Sequence, residues 1–291
     1  GNFNTATSGT VGGWQDKSGN GNHLVAQGDP TTASRTHSGK NVLDFDGNDY
    51  FESASGYMST NDFSFLMVAG IDIVNNQYDS LFSIRPSVSN PSFQIEAGTG
   101  NAFKFKLNGN NFTNKTFSNS ALPGPGIYEL IFNDSTDLIE AFMNGTSLGT
   151  SPYSSAPTYG NTLVVFANRA FWANPDGFVA EMIGTASALP TADRQKFEGY
   201  LAHKWGLTGS LPNNHPYQST HPLGWSSNLL TSETVHGGAV QIDTGREGFY
   251  GTTVSGLTAG ETYHYRVRST GILDAKGISG TSLKLWLDAT D

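Results

Sequence analysis

The sequence predicts an all-β chain: an antiparallel β-sandwich with one helix at its C-terminal end, followed by a smaller second β-sandwich-like region. Three observations predict it. The 291 residues include 35 Gly and 12 Pro, with only 14% charged and 12% aromatic residues, a composition suited to short strands joined by tight turns. Apolar residues recur at every second position in one run after another. Helical spacing, by contrast, holds in a single convincing stretch near residues 191–206.

Taken in order, residues 14–23 read Trp-Gln-Asp-Lys-Ser-Gly-Asn-Gly-Asn-His. They predict a structured loop, since Gly supplies positive φ and Asn and Asp side chains bond back to the backbone. Residues 41–51, Asn-Val-Leu-Asp-Phe-Asp-Gly-Asn-Asp-Tyr-Phe, read as a hairpin with an acidic turn. The apolar run 63–70 is the strongest buried-strand candidate, and 80–84, 92–96, 103–107 and 127–132 continue the series. Residues 138–143 lead into Asn144-Gly145, the dipeptide best suited to a type I′ hairpin turn, before 146–148 returns. The last strands are 162–167 and 177–184. In the helix Thr191 is the expected N-cap, Phe197, Tyr200, Leu201, Lys204 and Trp205 follow helical spacing, and Gly206 is placed to end it in the left-handed conformation.

Beyond residues 211–217 a Pro- and His-punctuated tail marks a boundary near His221. Residues 221–281 then form the second region, with strands expected at 239–243, 248–254 and 262–268. The chain closes on residues 282–291. Here Leu283, Leu285 and Leu287 alternate on one face with Trp286 on the other, which predicts a strand packed on at least one side. A strand left at a terminus with an exposed Leu/Trp face must pair with something, and another copy of this chain is the natural candidate.

The 14–23 loop, the Phe45-to-Tyr50 turn, the run 178–183 and the helix 193–206 occur in the order found in laminin-G-like, concanavalin A-like jelly-roll domains of large bacterial surface proteins, which residues 1–217 resemble. Residues 257–268 resemble the end of a fibronectin type III domain. The resemblance implies a jelly roll over 1–220, a partial fibronectin-like region over 221–281, and, in 282–291, a strand belonging to the next jelly roll. In that family a Leu-x-Leu-Trp-Leu-Asp-Ala strand precedes the Trp-x-Asp loop, and here those residues are 283–289. A tandem repeat cut inside its sandwich accounts for this order, as does exchange of the strand between separate chains; the start of an unrelated neighbouring domain is the alternative. Assembly then runs through Leu283, Leu285, Trp286 and Leu287, laid beside Phe178, Ala180 and Met182.

The net charge of −9 and the lack of a Lys/Arg run argue against nucleic acid as a partner. With no Cys there is no disulfide framework or thiolate metal site, and no apolar run reaches membrane-span length. The chain has neither an initiating Met nor a signal peptide and reads as an excerpt of a longer, extracellular or cell-surface protein. Asp16, Asn20, Asn22, Asp46 and Asp49 offer the hard oxygen ligands that calcium accepts, or serve only as turn residues. His215 and His221 lack an evident third metal ligand. Tyr153, Tyr159 and Trp172 lie in loop-like sequence and are the candidates for stacking on sugar rings. The paired acids of jelly-roll glucanases, Glu-x-Asp-x-x-Glu, are absent, so catalysis is not expected. The leading reading is a non-enzymatic repeat unit of a bacterial surface fibre or giant adhesin, assembling head-to-tail. The alternative is a calcium-dependent carbohydrate-binding module.

Overall fold

A computed structural model of the chain describes residues 8–53, 62–73, 78–85, 93–98, 102–107, 115–118, 124–152, 162–167, 174–222 and 283–289. The proposed fibronectin-like region falls outside these residues, apart from its first two positions. In chain order the strands are β1 (Gly9–Thr10), β2 (Gly13–Trp14), β3 (Leu24–Gln27), β4 (Thr31–His37), β5 (Lys40–Asp46), β6 (Tyr50–Ser53), β7 (Phe63–Ile73), β8 (Ser80–Arg85) and β9 (Phe93–Gly98). They continue as β10 (Ala102–Leu107), β11 (Lys115–Ser118), β12 (Gly126–Asn133), β13 (Leu138–Met143), β14 (Thr146–Pro152), β15 (Thr162–Val165), β16 (Asp176–Thr185) and, after helix α1 (Thr191–Lys204), β17 (Leu283–Asp288). Two antiparallel sheets result. One runs β1-β4-β5-β16-β7-β12-β13-β14 with β17 also beside β16, and the other runs β11-β10-β9-β8-β15-β6-β3-β2. The expected all-β, antiparallel sandwich with a single helix is the observed fold.

Strand alternation divides the core in two. Phe65, Met67, Ala69, Tyr128, Leu130, Phe132 and Val179 face the second sheet. Their neighbours Leu66, Val68, Ile127, Ile131, Phe142 and Phe178 face the helix and pack on Phe197, Leu201 and Trp205. The first sheet is therefore covered on both sides, which is why 63–71 is an uninterrupted buried run rather than an apolar/polar alternation. Close approach at the centre demands glycine. A Cβ on Gly70 would lie 2.2 Å from the Phe178 ring, and one on Gly177 would lie 2.2 Å from the Gly70 carbonyl oxygen.

Two local expectations are corrected. Residues 41–51 are not a hairpin, because β5 and β6 belong to different sheets. The acidic turn carries the chain across the sandwich so that Phe45 and Phe51 meet edge-to-face in the core, 5.7 Å between centroids. Thr191 is not the N-cap; Pro190 precedes the helix in extended conformation with no side-chain cap, so Thr191 opens the first turn. Elsewhere the turn chemistry appears as read: Asn144 and Gly145 have φ of 50° and 74°, and Gly206 has φ of 69°.

The edge of β16 has two occupants. β5 pairs with Asp176–Val179 and β17 with Glu181–Thr185, in the register Glu181↔Asp288 through Thr185↔Leu283. Where a strand from another copy was expected, the chain's own C-terminal strand is in place. Leu287 is fully buried in the main core with Ala289 beside it, the Ala289 N–H donates to the Ala180 carbonyl at 2.9 Å, and Leu287 bridges to Asp16 on its other side. Asp288 accepts from Lys204 Nζ at 2.7 Å and from Lys17 Nζ at 3.2 Å. Lys204 also pairs with Glu181 at 3.0 Å, so one lysine ties the helix to both β16 and β17.

Candidate functional site: an aspartate cluster at the sheet corner

The turn that crosses between the sheets after β5 brings Asp46 and Asp49 together with Asp29, the middle residue of the β3–β4 connection. One carboxylate oxygen from each lies within 4.8 Å of the others, with Asp29 and Asp46 exposed and Asp49 buried. The backbone builds this arrangement. The Asp29 N–H donates to Asp49 Oδ1 at 2.7 Å, the Asp46 N–H approaches Oδ2 at 3.5 Å, and the Asn48 N–H donates to Asp46 Oδ1 at 3.3 Å. Gly28, at φ 81°, leaves the space: a Cβ there would sit 2.3 Å from Asp49 Oδ1. Burial, with the charges of Asp46 and Asp29, pushes the Asp49 carboxyl up to about 6 despite the two N–H groups that oppose the shift. Acidity extends along the sheet, since burial and then Asp72, Asp44 and Asp46 raise Asp176, with Arg35 opposing. Arg35 is itself held by Asp72 and Asp44 and lies 4.4 Å over the Phe178 ring.

Three carboxylates at this spacing suit calcium, whose oxygen ligands lie at about 2.3–2.6 Å on all sides, so that ligands facing one another across the ion are about 5 Å apart. Of the acids expected to bind it, Asp46 and Asp49 are in the cluster and Asp16 is not, while Asn20 and Asn22 bond within the Asp16 loop. Asp16 staples its own loop instead: Oδ1 accepts from the Ser18 N–H, and Oδ2 accepts from the Ser18 hydroxyl and the Asn22 N–H, all at 2.8–2.9 Å. Asn20 is exposed and donates to Ser18 Oγ at 2.9 Å. Asp29 was missed because nothing in a Gly-Asp-Pro turn, seventeen residues before Asp46, signals its approach. The two histidines of the tail are engaged separately, His215 with Glu198 at 2.8 Å and His221 against His203 at 5.3 Å between ring centroids. Tyr153, Tyr159 and Trp172 lie outside the described residues.

Among the described residues, no helix is long and apolar enough to cross a membrane. No family model matches the chain, and no curated protein matches it. Solved structures do. Domain 4 of AbnA, a GH43 extracellular arabinanase from Geobacillus stearothermophilus, in complex with arabinotriose, is similar at a TM-score of 0.51 and 10% identity, over 64% of this chain and 96% of that one. A structure of botulinum neurotoxin type C, whose cell entry depends on interaction with two ganglioside molecules, is similar at a TM-score of 0.50 and 13% identity. That match takes in 66% of this chain and only about half, 51%, of the toxin chain. At these identities the likeness concerns the fold alone, a jelly-roll β-sandwich.

Proposed function

We propose that the chain is a carbohydrate-binding module of an extracellular or cell-surface protein, holding a glycan without turning it over and depending on calcium to do so. The observation that carries this reading is the Asp29–Asp46–Asp49 cluster at the sandwich corner. Calcium there would supply positive charge to a strongly acidic surface and fix both the corner turn and the β3–β4 connection. The arabinanase domain and the neurotoxin lend support, since each shares the fold and is described with a saccharide. Glycan-array binding that chelator abolishes and calcium restores is the expected result. Binding indifferent to chelator removes the calcium part of the reading, and an array without any bound glycan removes the whole.

A second reading, the repeat unit of a surface fibre or adhesin, is favoured by one specific observation. β17 fills half an edge of β16 from the far side of about sixty intervening residues, 223–282. The β16–β17 ladder is built from segments that every copy of the chain carries, so a second copy's β17 offers the same pairing, and donation to a neighbour is a heterologous contact that propagates. Light scattering of concentrated protein tests it: assemblies should form with the full chain and vanish on removal of residues 283–291. Assembly that survives the truncation rules this reading out.

A further inference from the structure

Two glutamates lie between the first sheet and helix α1, and the fold treats them in opposite ways. Glu181 on β16 and Glu129 on β12 are both fully buried. Glu181 is surrounded by donors: the Tyr200 hydroxyl at 3.0 Å, Trp205 Nε1 at 2.7 Å and Lys204 Nζ at 3.0 Å. Glu129 is flanked across the ladder by Leu66 on β7 and Phe142 on β13, and among the described residues no N–H or O–H group completes a hydrogen bond to either of its oxygens. What stands beside it is a second acid, the side chain of Glu198 from α1.

Glu198 has one further partner on each oxygen, which leaves acceptor sites open. Its Oε1 receives the Arg194 guanidinium from one helical turn earlier, and its Oε2 meets His215 Nε2 at 2.8 Å. The Tyr217 N–H donates to His215 Nδ1 at 3.2 Å. With Nδ1 accepting, the hydrogen of a neutral ring sits on Nε2 and is given to Glu198. Arg194 lies 3.7 Å over the Phe142 ring, and the Gly145 N–H faces Glu129 from the β13–β14 turn. The groups facing Glu129 are thus one carboxylate, one guanidinium, one neutral imidazole and one amide, and charge closes at zero only if Glu129 is uncharged.

A buried carboxylate to which no hydrogen bond is completed is strongly disfavoured, and ionising it beside a second carboxylate adds repulsion. A proton on Glu129 makes it a donor toward Glu198 and removes the repulsion. We propose that Glu129 keeps its proton in the folded protein and directs it at Glu198, and that this buried contact is a pH-dependent fastener holding helix α1 on the sheet. Burial first, and the charge of Glu198 next, push the Glu129 carboxyl well above the usual range, with Arg194 and the Gly145 N–H opposing. The fastener grips α1 near its middle, while Lys204 at its end holds Asp288 of β17, so a loosened helix weakens the hold on the C-terminal strand too.

The sign follows from proton counting. Above the ordinary glutamate range the unfolded chain has lost this proton and the folded one keeps it, so stability falls as pH rises, by about tenfold in the folding equilibrium per pH unit, until Glu129 itself titrates in the folded protein. Glu129→Gln, made in the full chain, keeps a donor toward Glu198 and has no proton to lose. At pH 6, where an ordinary glutamate is ionised, calorimetry in two buffers of unlike ionisation enthalpy should show wild type releasing one more proton on unfolding than the variant. Amide exchange in α1, corrected for its intrinsic pH dependence, should accelerate with pH in wild type alone. Carbon-13 labelling of glutamate carboxyls provides a direct view of wild type: one should remain in the acid form at pH 6. Equal proton release from the two proteins overturns the proposal. A wild-type spectrum in which every glutamate is ionised at pH 6 overturns it even if the variant does not fold.

Discussion

Leu287→Ala probes the docking of the C-terminal strand with a single change. Leu287 is completely buried, among the side chains of the main core, opposite Met182 in the ladder. Removing three carbons from such a site costs the transfer free energy of the lost atoms plus the cavity they leave, about 2–5 kcal/mol. Against a total folding stability on the order of 5–15 kcal/mol, that is a large fraction. For a domain of this size each kcal/mol moves the melting temperature by about 2–4 °C, so a mid-range loss of about 3 kcal/mol predicts a fall of about 6–12 °C, with a matching drop in the urea midpoint at unchanged slope. A strand hanging in solvent would put Leu287 among surface positions, where substitutions stay within about 0.5 kcal/mol. A midpoint shift that small would refute the docking of β17.

Gly177→Ala should be as disruptive as a core truncation although it adds one carbon, because its Cβ would meet the Gly70 carbonyl oxygen at 2.2 Å on a strand bonded on both sides; a soluble variant melting within a degree or two of wild type would contradict the packing. His221 supplies a pH test. Burial first, and His203 second, lower it from 6.5 to about 4, so between those values the unfolded chain binds a proton that the folded one does not, and stability falls as pH drops through that window. Urea melts at pH 7 and pH 4.5 should therefore show a smaller acid loss for His221→Gln than for wild type, and equal losses would contradict the assignment.

The sequence disclosed those features whose cause is local. Asn144-Gly145 permits positive φ at successive positions, and Gly206 ends the helix where a side chain would resist. The apolar run 63–70 announced a buried strand, and the structure adds that it is covered on both faces. The turn at 46–49 was legible as a turn but not as a crossing between sheets, because Asp-Gly-Asn-Asp reverses the chain equally well in either setting. Asp29 and Glu129 were illegible for a different reason. What each does depends on partners brought by tertiary packing, Asp49 in the one case and Glu198, Arg194 and His215 in the other, and no spacing along the chain encodes those meetings. The pattern of β17 was plain from Leu283, Leu285 and Leu287, whereas the identity of the chain it joins is not a property of the pattern.

That identity is open to direct measurement. The chain has no Cys, and Gly184 and Leu285 face one another in the β16–β17 ladder, where directly opposed Cα atoms in antiparallel strands lie about 4.5–5.5 Å apart, within disulfide range. Gly184→Cys with Leu285→Cys, oxidised in dilute solution and run on a denaturing, non-reducing gel, should give an internally closed species of monomer mass. A ladder of dimers and higher multimers under the same conditions, or no cross-link at all, would contradict a sandwich completed by its own C-terminal strand.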